Sequence, residues 1–165
     1  MYRNLCQLWK LRKRLLMKPT LFIHFDGSCY HKDGRMGMGF ALFEGESTEP
    51  IYTEIISSGD LKGTSNEAEY RALTAALTYV STNISRLNRA YSKIIIYGDS
   101  QVVINQMIGD YEPRSLLHHY NWVCHILDKI DHYISIEFGW VPRDNVRQTV
   151  VDQLSKKGNK YYLDK

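Results

Sequence analysis

Leu21-Phe22-Ile23-His24-Phe25-Asp26-Gly27-Ser28 is the stretch on which the reading of this chain turns. A β-prone apolar run, preceded by Pro19, ends in an acid followed by two small residues. A buried strand that delivers a carboxylate to a loop has this form. The pattern returns at Ile94-Ile95-Ile96-Tyr97-Gly98-Asp99-Ser100. Two more acids stand where acids are unusual: Glu69 on the apolar stripe of a predicted helix, and Asp152 beside Val150, Val151 and Leu154 in another. Core-facing carboxylates resist desolvation and repel one another, and a hard divalent cation that takes oxygen ligands is the common physical remedy. Taken singly, Asp26-Gly27-Ser28 also reads as a turn and Asp99 as a helix cap. The four together ask for more.

Around these acids the chain alternates period. Lys18 to about Phe25 reads as a first strand, His31–Gly34 as a turn, and Gly37–Phe43 as a second strand whose glycines point to close backbone approach or a bulge. Ile51–Ser57 reads as a third strand, completing an antiparallel meander. Beyond Gly59 the period becomes helical: Tyr70, Leu73, Leu77 and Val80 line one face, and Thr64 or Ser65 supplies the N-cap. Glu69 falls on the same sheet-facing side as Ala72 and Leu73. Lys93–Tyr97 is a fourth strand, Ser100–Ile108 a short helix stopped by Gly109, and Leu116–Ile130 a longer one. Tyr133–Val141 is a fifth strand, and Val146–Lys157 a last helix ended by Gly158. The order predicts an α/β fold: a mixed five-stranded sheet, three antiparallel strands followed by two parallel ones, with helices on both faces. Ligands bind at strand C-terminal ends in such sheets. Asp26 and Asp99 would stand side by side there if strands one and four were neighbours.

The length of 165 residues fits one domain. No apolar stretch could span a bilayer and no secretory signal pattern occurs, so no membrane partner is expected. Three cysteines without metal-ligand spacing (Cys6, Cys29, Cys124) fit a reducing, cytoplasmic setting. Of the 21 bases, five (Arg3, Lys10, Arg12, Lys13, Arg14) lie in residues 1–16, which hold no acid, leaving the body with 16 bases against 18 acids. A basic extension over residues 1–17 is therefore set apart from a domain over 18–160. That extension is expected to add nucleic-acid affinity, to direct organelle import, or to lie upstream of a true start at Met17.

Four ordered blocks carry a family resemblance. They are Phe25-Asp26-Gly27-Ser28, Thr64-Ser65-Asn66-Glu67-Ala68-Glu69-Tyr70, Tyr97-Gly98-Asp99-Ser100-Gln101, and Trp140-Val141-Pro142-Arg143 leading to Asp152-Gln153-Leu154-Ser155. From Lys18 to Lys157 the chain closely resembles type 1 ribonuclease H, in the compact form without a basic protrusion. The resemblance implies an endonuclease that hydrolyses the RNA strand of RNA–DNA hybrids, leaving 5′-phosphate and 3′-hydroxyl ends. It implies Asp26, Glu69, Asp99 and Asp152 as catalytic carboxylates holding two Mg2+ ions, with Mn2+ as a possible substitute, about 4 Å apart. In that scheme Asp26 bridges both ions, Glu69 and Asp99 favour the leaving-group side, and Asp152 the nucleophile side. It also implies hybrid contacts at Gly27, Ser28, Cys29, Thr64, Ser65, Asn66, Gln101 and Arg143, because telling a 2′-hydroxyl strand from a deoxy strand asks for polar groups in a wide minor groove. A monomer suffices for this chemistry.

The chain departs from the family pattern before Asp152, where two extra residues follow Pro142 and Val151 stands in place of the common alanine. Asp144 is the alternative fourth acid. No histidine lies in this loop, and Arg143 is expected to serve the site electrostatically in its place. An inactive hybrid- or RNA-binding module of the same fold, or a related nuclease acting on DNA, are the alternative functions.

Overall fold

The strand that opens at Leu21 does not stop at Asp26. In the computed structural model, which describes residues 2–160, β1 runs from Thr20 to Cys29. It pairs antiparallel with β2 (Arg35–Glu44), so that Asp26 lies opposite Gly39. Asp26-Gly27-Ser28 is thus strand and not turn. β2 pairs antiparallel with β3 (Tyr52–Lys62), with a bulge between Arg35 and Gly37. β1 pairs parallel with β4 (Lys93–Gly98), and β4 with β5 (Ser135–Trp140), giving the order β3-β2-β1-β4-β5. The expected mixed five-stranded sheet is present. His24 stands opposite Tyr97, so two residues further on Asp26 and Asp99 are neighbours across the same pair of strands.

An amphipathic helix α1 (Tyr2–Leu16) precedes the sheet, with Leu5, Leu8, Trp9 and Leu11 exposed. α2 (Ser65–Thr82) begins where expected, with Thr64 as N-cap accepting from the Glu67 N–H. α3 (Ile84–Ala90) was not expected. It follows α2 through Asn83, whose carbonyl accepts from Arg86 and Leu87 and so restarts the helix after one irregular residue. α4 (Gln101–Ile108) ends on Gly109 at φ +87°, the left-handed cap glycine favours. α5 (Leu117–Ile130) follows, and α6 (Val146–Lys160) closes the chain. α6 runs through Gly158, because that glycine lies where a Cβ would come within 2.4 Å of the Ile56 carbonyl oxygen. It is kept for contact with the sheet and not for a helix stop.

Two apolar layers flank the sheet. The larger lies under α2, α4 and α5 and includes Phe25, Phe40, Tyr70, Leu73, Leu77, Ile94 and Ile96. The smaller lies under α6, where Val151 and Leu154 meet Ala41 and Phe43. Val151 is fully buried there, which gives the valine a packing role. Among the described residues no helix is long and apolar enough to cross a membrane.

Backbone contact against glycine sets both layers. A Cβ on Gly27 would lie 2.1 Å from the carbonyl carbon of Ala68 in α2. One on Gly37 would lie 2.0 Å from the Ser155 carbonyl oxygen in α6, and one on Gly39 2.5 Å from the Leu154 Cβ. Backbone cannot yield as a flexible side chain can. Gly27→Ala and Gly37→Ala should each cost about 3 kcal/mol in urea unfolding. Gly109→Ala, which meets nothing within 4 Å but has a positive φ, should cost only about 1 kcal/mol.

Candidate metal centre

The glycine contacts bring three acids together. β1 carries Asp26, the first turns of α2 carry Glu69, and Asp99 follows β4, with one oxygen of each within 4.8 Å of the others. Asp26 and Glu69 are 3 % and 6 % exposed, and the Asp99 side chain 5 %. Burial raises the Asp26 pKa to about 6, helped by the charges of Asp99 and Asp152 and opposed by a Ser155 hydrogen bond and by Arg143. Glu69 is pushed well above the ordinary carboxylate range, first by burial and then by Asp26 and Asp99, against a stabilising bond from the Gly27 N–H and the charge of Arg143. Its Oε2, and Oδ1 of Asp99, are buried without a hydrogen-bond partner among the described residues. Three clustered carboxylates with two bare oxygens form a hard oxygen donor set that suits a divalent cation. The residues present fit the group that the acids imply.

Asp152 stands beside this triad and not within it. Its charge reaches Asp26, yet its Oδ2 accepts from Lys156 Nζ at 2.6 Å. Asp144 is exposed in the loop after β5 and is not part of the triad. Arg143 donates through Nε to Asp99 Oδ2 at 3.0 Å, and Trp140 donates to the Asp99 carbonyl at 3.0 Å.

The remaining expected positions divide by exposure. Thr64, Ser65, Asn66 and Gln101 are exposed at the starts of α2 and α4, near Glu69 and Asp99 in sequence. Gly27 is buried against α2, and Ser28 accepts from the Asn159 amide at 2.6 Å. The Cys29 thiol is turned to the Gly63 carbonyl at 3.2 Å.

The roles of three residues at the site, Ser155, Gln148 and His24, escaped the sequence reading. Ser155, fully buried, donates to Asp26 Oδ2 at 2.5 Å. Gln148, also fully buried, donates to the Phe25 carbonyl at 2.9 Å, and its Oε1 lies 3.1 Å from His24 Nδ1, whose N–H it accepts. Burial lowers the His24 pKa to about 4, against the opposing Gln148 bond. A polar residue on the apolar stripe of the last helix was the available signal for Gln148 and Ser155, and it was used only for Asp152.

Residues 24–158 match the reverse transcriptase-like family. The chain belongs to that family. It shares 33% identity over 132 residues with the uncharacterized protein YpeP of Bacillus subtilis, an alignment covering 78% of this chain and 53% of that protein. The chain thus spans about half the length of that relative. Its fold is that of type 1 ribonuclease H. LC11-RNase H1, solved in complex with an RNA/DNA hybrid, superposes with a TM-score of 0.72 at 22% identity, over 87% of this chain and 99% of that one. The N-terminal RNase H domain of Rv2228c from Mycobacterium tuberculosis gives 0.70 at 23%, over 88% and 97%. RNase H1 of Halobacterium salinarum gives 0.67 at 22%, over 84% and 96%.

The buried groups predict a pH dependence of stability for the metal-free protein. The folded pKa of His24 is lowered, so its contribution is lost as pH falls from 6.5 to about 4. That of Asp26 is raised, so folding is penalised as pH climbs from 3.8 to about 6. The two slopes oppose one another between pH 4 and 6. Glu69, raised first by its own burial, adds to the Asp26 side, and Asp26→Asn removes one of these two acids. In chelator, the variant should be more stable than wild type at pH 7, and its stability should fall by about 1 kcal/mol relative to wild type on acidification to pH 5. Denaturant unfolding at the two pH values measures both.

Proposed function

We propose that this chain is a metal-dependent endonuclease that hydrolyses the RNA strand of RNA–DNA hybrids. The observation carrying the proposal is the pair of bare, buried oxygens on Glu69 and Asp99 beside Asp26. A module that only bound nucleic acid would gain nothing from clustered negative charge facing phosphates. Asp26, Glu69 and Asp99 would hold one Mg2+ ion, and Asp26 with Asp152 a second; Mn2+ suits the same oxygens. When bound, such ions lower the pKa of a water nucleophile and stabilise the departing 3′ oxygen of an in-line displacement, giving 5′-phosphate and 3′-hydroxyl ends.

The chain's own groups supply the rest. The exposed Thr64, Ser65, Asn66 and Gln101 offer donors and acceptors to sugar hydroxyls and base edges of a wide minor groove, which is how a ribose strand is told from a deoxyribose strand. The side chain of Arg143, 78% exposed, reaches from the Asp99 carboxylate toward solvent and can meet a phosphate there. Asp26 is held by strand pairing to Gly39 of β2, and Glu69 by the seat of α2 on Gly27, so the ligands are placed before any ion arrives. Every ligand comes from one chain, so a monomer over residues 18–160 would be the catalytic unit, acting in a reducing, cytoplasmic setting.

The test is cleavage of an end-labelled hybrid with Mg2+, with Mn2+ and with chelator, alongside duplex RNA and duplex DNA. Cutting of the hybrid's RNA strand alone, reduced about a hundredfold or more in Asp99→Asn, is the expected result. Binding of hybrid without cleavage would make this an inactive module of the fold, and cleavage of DNA would overturn the substrate.

A further inference from the structure

The oxygens of the four acids are not equivalent. Glu69 Oε2 and Asp99 Oδ1 are bare. Asp26 Oδ2 carries the Ser155 hydroxyl at 2.5 Å, and Asp152 Oδ2 carries the Lys156 ammonium at 2.6 Å. Both donors come from α6, one turn beyond Asp152, and each occupies one oxygen of a carboxylate that an ion shared by Asp26 and Asp152 would use.

We propose that Ser155 and Lys156 keep the Asp26–Asp152 position closed to a cation, so that this chain fills its two ion positions in a set order. The inference rests on reading the carboxylates as cation ligands. The position shared by Asp26, Glu69 and Asp99 is preformed and takes the first ion. The position shared by Asp26 and Asp152 takes an ion only after two tethered donors give way.

The geometry shows how each can do so. Ser155 Oγ has a second acceptor in reach, the Asp152 carbonyl at 2.9 Å. Its single proton can therefore turn from Asp26 to the backbone without leaving a buried donor unpaired. Lys156 is 61% exposed and can release into water, while its spacing of four residues from Asp152 returns it when the ion leaves. Ser155 cannot retreat bodily, because the α6 backbone at this residue is seated against Gly37 and Gly39. The hydroxyl is thus a fixed donor with two acceptors, and the ammonium a mobile plug.

The test is a Mn2+ titration of the full chain without nucleic acid, followed by electron paramagnetic resonance of free ion and by calorimetry. Wild type should bind one ion strongly and a second at least about tenfold more weakly. Ser155→Ala and Lys156→Gln should each narrow that gap, and the double variant should bring the two constants within about threefold. Lys156→Gln alters an exposed side chain, so it reports even if Ser155→Ala folds poorly. Glu69→Gln should weaken the strong event instead. Equal constants in wild type, or a gap that both variants leave unchanged, would overturn the proposal. Absence of any Mn2+ binding would overturn the cation-ligand reading itself.

Discussion

Backbone pressed against glycine is the contact on which the rest of this structure depends. Gly27 admits the α2 backbone at Ala68, and Gly37 and Gly39 admit the α6 backbone at Leu154 and Ser155. Helices on a sheet ordinarily stand off by the thickness of two side-chain layers. Here they touch the strands themselves. A short carboxylate on β1 can then share a site with acids from α2 and from the end of β4, and hydrogen-bond to a serine on α6. Without the glycines the same acids would sit on separate surfaces, each hydrated and chemically inert.

Such closeness is costly for the folded state. Asp26 and Glu69 are almost entirely removed from water, and burial first, then neighbouring carboxylates, push both pKa values up. The fold offsets it locally. Ser155 and the Gly27 N–H donate to two of the acids, and Arg143 pairs with the third. Arg143 and Lys156 are exposed, so their ion pairs contribute little to stability. What they supply is charge balance that can be withdrawn. A site neutralised by buried, permanent partners would be more stable and could not exchange them for a cation.

Most of the fold was legible in the sequence because its signals were periodic. Alternating apolar runs marked five strands, and the helical stripe at Tyr70, Leu73, Leu77 and Val80 marked α2 with its Thr64 cap. Misplacements came where one residue type serves two purposes. Gly158 resembled a helix stop and proved a packing contact, and Asp26-Gly27-Ser28 resembled a turn and proved strand. α3 was invisible because a single irregular residue, Asn83, separates it from α2. At the site, acids could be picked out since a carboxylate in an apolar run has few innocent explanations. Ser155 and Gln148 could not, because a neutral polar residue on a helix is ordinary until its burial is known. The direction in which a donor points is a tertiary fact with no periodic trace.

The last helix shows why that tertiary information matters chemically. On an α-helix, residues three and four apart share a face. Once Asp152 faces the sheet near Asp26, Ser155 and Lys156 are obliged to lie alongside it. Ser155, being short, reaches inward to Asp26; Lys156, being long, folds back on Asp152 itself. The helix that contributes the most peripheral acid therefore also contributes the two donors, one on Asp152 and one on Asp26. Three and four residues further on, where α6 places its donors after Asp152, Asp99 is followed by Val102 and Val103 and Glu69 by Ala72 and Leu73. Among the described residues, the one cation paired with Asp99, Arg143, arrives from a separate loop and leaves one oxygen bare. The proposed division of the site into an open half and a guarded half thus follows from helical periodicity acting on three residues of α6, and it requires no motion of the sheet.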